Sequence, residues 1–335
     1  MTKFSIILPV RNGGDYVKEC VNSILSQTYP HFNLLVLDNA SRDGTLEWVR
    51  SIKDERIVIY PSSESLSIEK NWARIVTVPK NEFITLIGHD DILLPNYLEE
   101  MDSLIQQYPD AALYQTHFNF IDAKGETIRP CIPVEKIQAP KDFLSHILEM
   151  TIDVNGTGFM VRSDDFNRIG GIPQYPNLLF ADFTLWLELT RISYKVTSEK
   201  NCFSYRLHQS MTTTSPDEKF HIAFEFFVQY LASLKHADNA LNEAINKQAK
   251  FILSFYCKSF SHRLLRTVLK TRNNITVKEW AQKCNGFATL LIDNNSFKPS
   301  TIASVQLAGI IDSTAFGRKL FLLFKKIYSK PVFKK

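Results

Sequence analysis

The chain has 335 residues, 44% of them hydrophobic and 22% charged, a balance that excludes a disordered polypeptide and allows one sizeable core plus a smaller second unit. Its five cysteines, Cys20, Cys131, Cys202, Cys257 and Cys284, show no C-x-x-C spacing, which argues against a zinc site or disulfide framework and fits a reducing cytoplasm. The net charge of +4 is unevenly placed, because Lys247 to Arg272 and Phe316 to Lys335 are rich in Lys and Arg and contain no acid, leaving an acidic front and a basic rear. The opening "MTKFSIILPV" is too short in apolar residues for a signal peptide, and no run approaches the roughly 18 apolar residues of a membrane span.

The first hundred residues alternate strand-like runs with amphipathic stretches. Strands are predicted at Phe4 to Val10, Phe32 to Leu37, Ile57 to Tyr60 and Phe83 to Ile87, with helices at Asp15 to Gln27 and Thr45 to Ile52. Such alternation implies an α/β, Rossmann-like and mainly parallel sheet, in which ligands sit beyond the carboxyl ends of the strands. The residues to inspect are therefore Pro9 to Asn12, Asp38, and His89 to Asp91. The middle third predicts a strand at Ala111 to Phe120, a turn at Ala123 to Glu126, an apolar stretch at Gly158 to Val161, and helices at Phe143 to Met150 and Phe183 to Ile192. Beyond Pro216 the strand signals vanish. Helices are predicted at Phe220 to Leu234, Leu241 to Leu269 and Val277 to Leu291, so the division is a 1–215 domain and a 216–335 helical region ending in a basic amphipathic tail.

The first strand-to-helix turn, "PVRNGGDY", lacks the G-x-G-x-x-G of a dinucleotide site, and no P-loop is present. If a nucleotide binds, a divalent cation on carboxylate oxygen is the remaining common way to neutralise its phosphates. "TLIGHDDILLP" offers Asp90 and Asp91 directly after a strand; the competing reading is a turn or helix cap. A second acidic pair, in "SDD" at Ser163 to Asp165, has no strand expected to end at it and reads as a helix cap.

Taken together, these stations resemble glycosyltransferase family 2, enzymes of the GT-A fold that use nucleotide-activated sugars. "SIILPVRNGGDYVKECVNSILSQTY" is similar to the family's opening strand and helix, "LLVLDNASRDGT" to its second station, "NWARIVTVPKNEFITLIGHDDILLP" to the segment ending in the DXD metal motif, and "YRLHQSMTT" to a late strand carrying a histidine. The resemblance covers about the first 210 residues. It implies that Asp38 accepts the ring N–H of a uracil or thymine while Pro9, Arg11 and Asn12 pack on the base, with Asn71 and Trp72 lining the same site. It also implies that Asp90, supported by Asp91 and His208, holds Mn²⁺ or Mg²⁺ across the diphosphate, with Arg206 on the phosphate side.

"FADFTLWLEL" resembles the family's catalytic station, making Asp182 the general base that takes the acceptor proton; its bland alternative is a helix cap. Gly88 and Ala181 depart from the pattern, since many relatives carry acids at those positions. Asn155, Gly156 and Trp186 fall on the acceptor side. The reaction implied is inverting transfer from a UDP- or dTDP-sugar to a glycan or lipid-linked acceptor in surface polysaccharide synthesis. The alternatives are a sugar nucleotidyltransferase, though "PVRNGG" lacks that class's basic loop, and an inactive binding protein of the same fold. The interleaved apolar and basic residues of the tail are expected to meet an anionic membrane surface, placing the protein in the cytoplasm or at the inner face of the cell membrane. Nucleic acid is not an expected partner.

Overall fold

A run of seven residues that are all buried, Phe4–Val10, forms the first strand (β1) of a computed structural model that describes residues 3–207, 217–267, 272, 275–293 and 297–328. A strand apolar on both faces must be covered on both faces, which is what parallel pairing with crossover helices provides. β2 (Phe32–Asp38) pairs parallel with β1 from Phe4 opposite Phe32 to Val10 opposite Asp38. β3 (Ile57–Ile59) adds to β2, and β4 (Phe83–Leu86) adds to the other side of β1, both parallel. The helix α1 (Tyr16–Leu25) buries Val17, Cys20, Val21 and Ile24, and α2 (Thr45–Ser51) and α3 (Ile68–Ala73) complete this half.

Beyond β4 the pairing changes direction. The remaining strands are β5 (Ile92–Leu93), β6 (Leu113–Ile121), β7 (Thr127–Pro130), β8 (Ile137–Gln138), β9 (Phe159–Arg162) and β10 (Lys195–Arg206). The path across the ten-stranded sheet is β3-β2-β1-β4-β9-β6-β10-β5, with β7 on β6 and β8 on β10. β9 is antiparallel to both β4 and β6, whereas β6 and β10 are parallel with register shifts near Asn201. The expected mainly parallel sheet therefore holds for the first four strands, and the rest is mixed. The helices of this half are α4 (Tyr97–Gln107), α5 (Pro140–Glu149), α6 (Ser163–Arg168) and α7 (Ala181–Thr190).

One sequence inference is corrected here. β9 ends immediately before Ser163, so the second acidic pair also follows a strand; Asp164 and Asp165 lie in the first turn of α6 and make no side-chain cap. Their position near a helix N-terminus suits negative charge.

The chain divides into two compact units, Met1–Thr213 and Thr214–Lys335. Among the described residues the second is helical: α8 (Asp217–Ala237), α9 (Asn239–Arg266), α10 (Val277–Leu291), α11 (Ala303–Asp312) and α12 (Ala315–Tyr328). His221 stacks on Trp280 with ring centroids 4.5 Å apart, and Phe224, Phe260 and Phe287 gather around the same indole. A buried ion pair joins Arg272 to Asp312 at 2.5 Å, and Asp312 also accepts the Val277 amide at 2.9 Å. No helix among the described residues is long and apolar enough to cross a membrane.

Lys195, at the start of β10, is buried, and its ammonium donates to Gln138 Oε1 and Thr197 Oγ1, each at 2.7 Å. Burial pushes its pKa down to about 7. Above that pH the unfolded chain holds a proton that the folded chain has released, so stability rises with pH until the unfolded lysine also titrates. The wild-type protein should gain on the order of a few kcal/mol from this site between about pH 7 and pH 10. Urea unfolding of wild type and Lys195→Met across that range checks it, since the variant should lack this part of the slope; equal slopes would contradict the assignment.

Candidate active site

The first station lies where β1 and β2 end side by side. Asp38 closes β2 in full burial: its Oδ2 accepts the Ser41 amide at 3.2 Å, while Oδ1 is sealed from solvent without a hydrogen-bond partner. A buried carboxylate oxygen left unpaired is costly, and it is the kind of acceptor that a ligand N–H satisfies. Asn39 fixes the neighbouring loop, its amide exchanging two hydrogen bonds with the Leu66 backbone at 2.7 and 2.9 Å. Arg74 braces the station from behind, donating to the Asp38 carbonyl, the Tyr60 carbonyl and Asn71 Oδ1. Asn71 is thus held at the site through Arg74, which sequence reading overlooked even though the i, i+3 spacing places both on one helical face.

The Pro9 to Asn12 turn is built for position. Pro9 is buried opposite Leu37 and Arg11 is exposed. Asn12 adopts φ 52°, a left-handed conformation that Asn tolerates better than most residues. Its side chain accepts the Arg42 amide, its own amide donates to Ser41, and Gly13 and Gly14 donate to Thr45 and Asp43. The two strand-end loops are thereby tied into one rim.

At the end of β4 the chain makes a turn closed by the Asp91 amide on the Gly88 carbonyl. A Cβ at Gly88 would lie 2.7 Å from Asp90 Oδ1 and 3.0 Å from Asp91 Oδ2, so glycine is what allows both carboxylates to fold over this turn. The departure from the family pattern at Gly88 has this steric consequence: an acid here would have to displace the pair. Asp91 is buried, accepting the Thr157 hydroxyl at 2.7 Å on one oxygen and the Arg206 amide at 3.0 Å on the other. Burial, and then repulsion from Asp90, hold its carboxyl well above the ordinary range. Both Asp91 oxygens are engaged within the protein, whereas Asp90 is only half-buried.

Arg206 does not stand free on the phosphate side. Its buried guanidinium donates to the Asp90 carbonyl at 2.7 Å, to the Asp122 and Ala123 carbonyls at 3.2 and 3.3 Å, and to Glu19 Oε2 at 2.6 Å, with Tyr16 against its face. It is a clamp behind the acidic pair. Glu19, Thr157 and Tyr16 are members of this arrangement that no local pattern in the sequence announces, because each is distant in the chain from its partner. His208 lies outside the described residues.

Asp182 occupies the first turn of α7. The three residues with positive φ just before it, Asn177, Leu178 and Phe180, form a strained approach of a kind that concentrates at functional sites. Its Oδ1 accepts the Phe183 amide at 3.0 Å; Asp182 itself makes no cap, since the N-cap position belongs to Phe180. Burial raises its pKa to about 6, partly offset by that backbone hydrogen bond. A Cβ on Gly156 would lie 4.0 Å from Asp182 Cβ, and Trp186 donates to the Asn155 carbonyl at 2.8 Å, so the 155–156 loop faces the head of α7. Tyr205 links this station to the previous one. Burial raises its phenol pKa first, and the negative charges of Asp91, Asp90 and Asp182 raise it further, so the ring lies within electrostatic reach of all three.

A groove of about 430 Å³ lined by Val76 to Glu82 and Arg162 to Asp164 opens at the opposite end of β4 and plays no part in this constellation.

The chain is similar to known proteins in sequence and in fold. Residues 5–170 match the family Glycosyl transferase family 2. An uncharacterized glycosyltransferase of Rickettsia typhi is 25% identical over 214 residues, covering 63% of this chain and 66% of that one. Glycosyltransferase GlyG of Streptococcus pneumoniae is 28% identical over 125 residues, covering 36% of this chain and 41% of the other. The matched part thus spans less than two thirds of these relatives. The structure of S. aureus TarS 1-349 in complex with UDP-GlcNAc superposes with a TM-score of 0.66 at 15% identity, covering 99% of this chain and 94% of that one, a likeness of fold. The α/β unit has the GT-A fold, and its residues 5–170 form a glycosyltransferase family 2 domain.

Removing the clamp should be expensive, because four acceptors would lose their donor at once. Arg206→Met is expected to lower stability by about 1 to 3 kcal/mol, the range for leaving buried acceptors unsatisfied, since Glu19 itself is half exposed. A chemical denaturation midpoint unchanged from wild type would show that Arg206 bears no such load.

Proposed function

We propose that the protein is an inverting, metal-dependent glycosyltransferase that moves a sugar from a UDP- or dTDP-linked donor to a hydroxyl of a glycan or lipid-linked acceptor in surface polysaccharide synthesis. The observation that carries this reading is that the 156–157 loop meets both the strand-end acidic pair and the helix-head carboxylate: Thr157 donates to Asp91 at 2.7 Å, and a Cβ on Gly156 would lie 4.0 Å from Asp182 Cβ. The unpartnered Asp38 Oδ1 supplies an acceptor for a pyrimidine N–H at the adjoining station, and the likeness to a TarS chain solved with UDP-GlcNAc supports a UDP-linked donor.

The donor set suits a hard divalent cation. Mg²⁺ and Mn²⁺ are commonly held by one or two carboxylates together with substrate phosphates, and Asp90 offers such an oxygen over the Gly88 turn while Asp91 and Arg206 fix its backbone. Bound there, the ion would neutralise the charge that develops on the leaving diphosphate. Asp182 then takes the proton of the attacking hydroxyl as its oxygen bonds to the anomeric carbon and the bond to the diphosphate breaks. One displacement of this kind inverts the anomeric configuration and needs no covalent enzyme intermediate. A base with a pKa of about 6 is largely ionised at neutral pH and still basic enough to accept the proton.

Three measurements follow from these roles. Asp182→Asn should retain UDP affinity while kcat falls by about 10²-fold or more, the scale of a lost general base; a variant with wild-type turnover would remove Asp182 from the chemistry. The wild-type pH–rate profile should decline on the acid side near pH 6, as the carboxylate becomes protonated. Asp90→Ala should abolish the Mn²⁺-dependent gain in UDP affinity, and Asp38→Ala should weaken UDP binding by roughly tenfold, the scale of one lost hydrogen bond to a charged group. Isothermal titration with and without Mn²⁺ tests both, and a product of retained configuration would overturn the single displacement.

A further inference from the structure

α12 is a helix turned the wrong way round for a core element. It packs through Arg318, Phe321, Leu322 and Lys325: the Arg318 guanidinium donates to the Asp312 carbonyl, and the Phe321 ring meets His262 edge-on at 5.7 Å. Its other face carries Phe316, Leu320, Leu323, Phe324 and Ile327, which are between 54% and 76% exposed. The spacing i, i+4, i+7, i+8, i+11 is that of a single stripe at 3.6 residues per turn, and a stripe of this kind ordinarily faces a core. Leu307 and Ile310 of α11, the helix just before it, are also exposed, at 58% and 69%.

The charge around the stripe has one sign. Lys319 and Lys326 are exposed along one flank, and α12 contains no acid. The basic end of α9 reaches the same helix: Arg266 lies close enough to Lys325 for their mutual repulsion to contribute, after burial, to lowering the lysine pKa, and both act on His262. The two acid-free segments of the sequence thus meet in the folded helical unit. An apolar stripe edged by cations is complementary to a surface that is apolar within and anionic outside, as a lipid leaflet with acidic headgroups is. A second copy of this chain would have to bring the same positive charge against itself.

We propose that the α11–α12 face docks in the plane of an anionic lipid membrane, with the α12 stripe in the acyl boundary and Lys319 and Lys326 at the headgroups. The docking is independent of the transferase reading and is tested without any sugar substrate. Full-length protein is sedimented with vesicles of phosphatidylcholine alone or with about one third phosphatidylglycerol, at low and high salt. Wild type should bind the anionic vesicles at least tenfold better than the neutral ones, and high salt should reduce the binding. Leu323→Glu/Ile327→Glu, both on the exposed face, should lose at least tenfold in partitioning with an unchanged melting temperature. Lys319→Glu/Lys326→Glu should lose the preference for anionic lipid. No binding by wild type to anionic vesicles, or equal binding by the apolar-face variant, would overturn the proposal. So would a concentration-dependent dimer in sedimentation velocity that the Leu323→Glu/Ile327→Glu variant abolishes, since the stripe would then be covered by a second copy.

Discussion

The acidic turn after β4 depends on one buried cation. Two adjacent aspartates at a strand end repel each other, and burial together with that repulsion holds the Asp91 carboxyl well above the ordinary carboxylate range, so the turn is held by hydrogen bonds. Arg206 supplies several of them from behind: its backbone amide donates to the Asp91 carboxyl, and its guanidinium donates to the Asp90 carbonyl, the β6–β7 turn and Glu19 of α1. Because a guanidinium presents its donors in a rigid fork, three separate pieces of chain are fixed to one plane.

The same economy governs the other stations. At the end of β2 the backbone is fixed by Arg74 and Asn39, which leaves the Asp38 side chain with one oxygen unanswered. At the head of α7 the strained residues 177 to 180 deliver Asp182 into the first helical turn, where burial raises its affinity for a proton. In each case neighbouring residues hold the backbone from which the carboxylate projects. Preorganisation of this kind is what makes an electrostatic site effective, since the groups need not rearrange when charge develops.

The helical unit uses its charges differently. The Arg272–Asp312 pair is buried and also receives the Val277 amide, joining the segments that flank α10 and α11. A buried ion pair is weak evidence for net stability, but breaking one side of it is costly, so it favours a single arrangement over alternatives. The remaining basic residues of α12 stay at the surface beside its apolar stripe.

The strands of the first half were legible in the sequence because β1, β2 and β4 are buried on both faces, and continuous apolar runs reveal such strands directly. α10 was legible to its last residue, with Thr276 and Glu279 forming a capping box at its start. Asp38 and Asp90 could be singled out because each lies at the end of a strand, a position that local pattern determines, whereas Asp182 was reached only through the resemblance of "FADFTLWLEL" to the family's catalytic station. What only the tertiary structure decided is which of the neighbouring polar groups are engaged internally. Arg206 reads as a phosphate ligand from its local sequence, yet Glu19, Asp90 and Asp122 are 187, 116 and 84 residues away from it and take up its donors. The short strands β5 and β8 were hidden for the same reason: pairing and burial are properties of contacts between distant segments, whereas propensity and periodicity report only on a residue's neighbours in the chain.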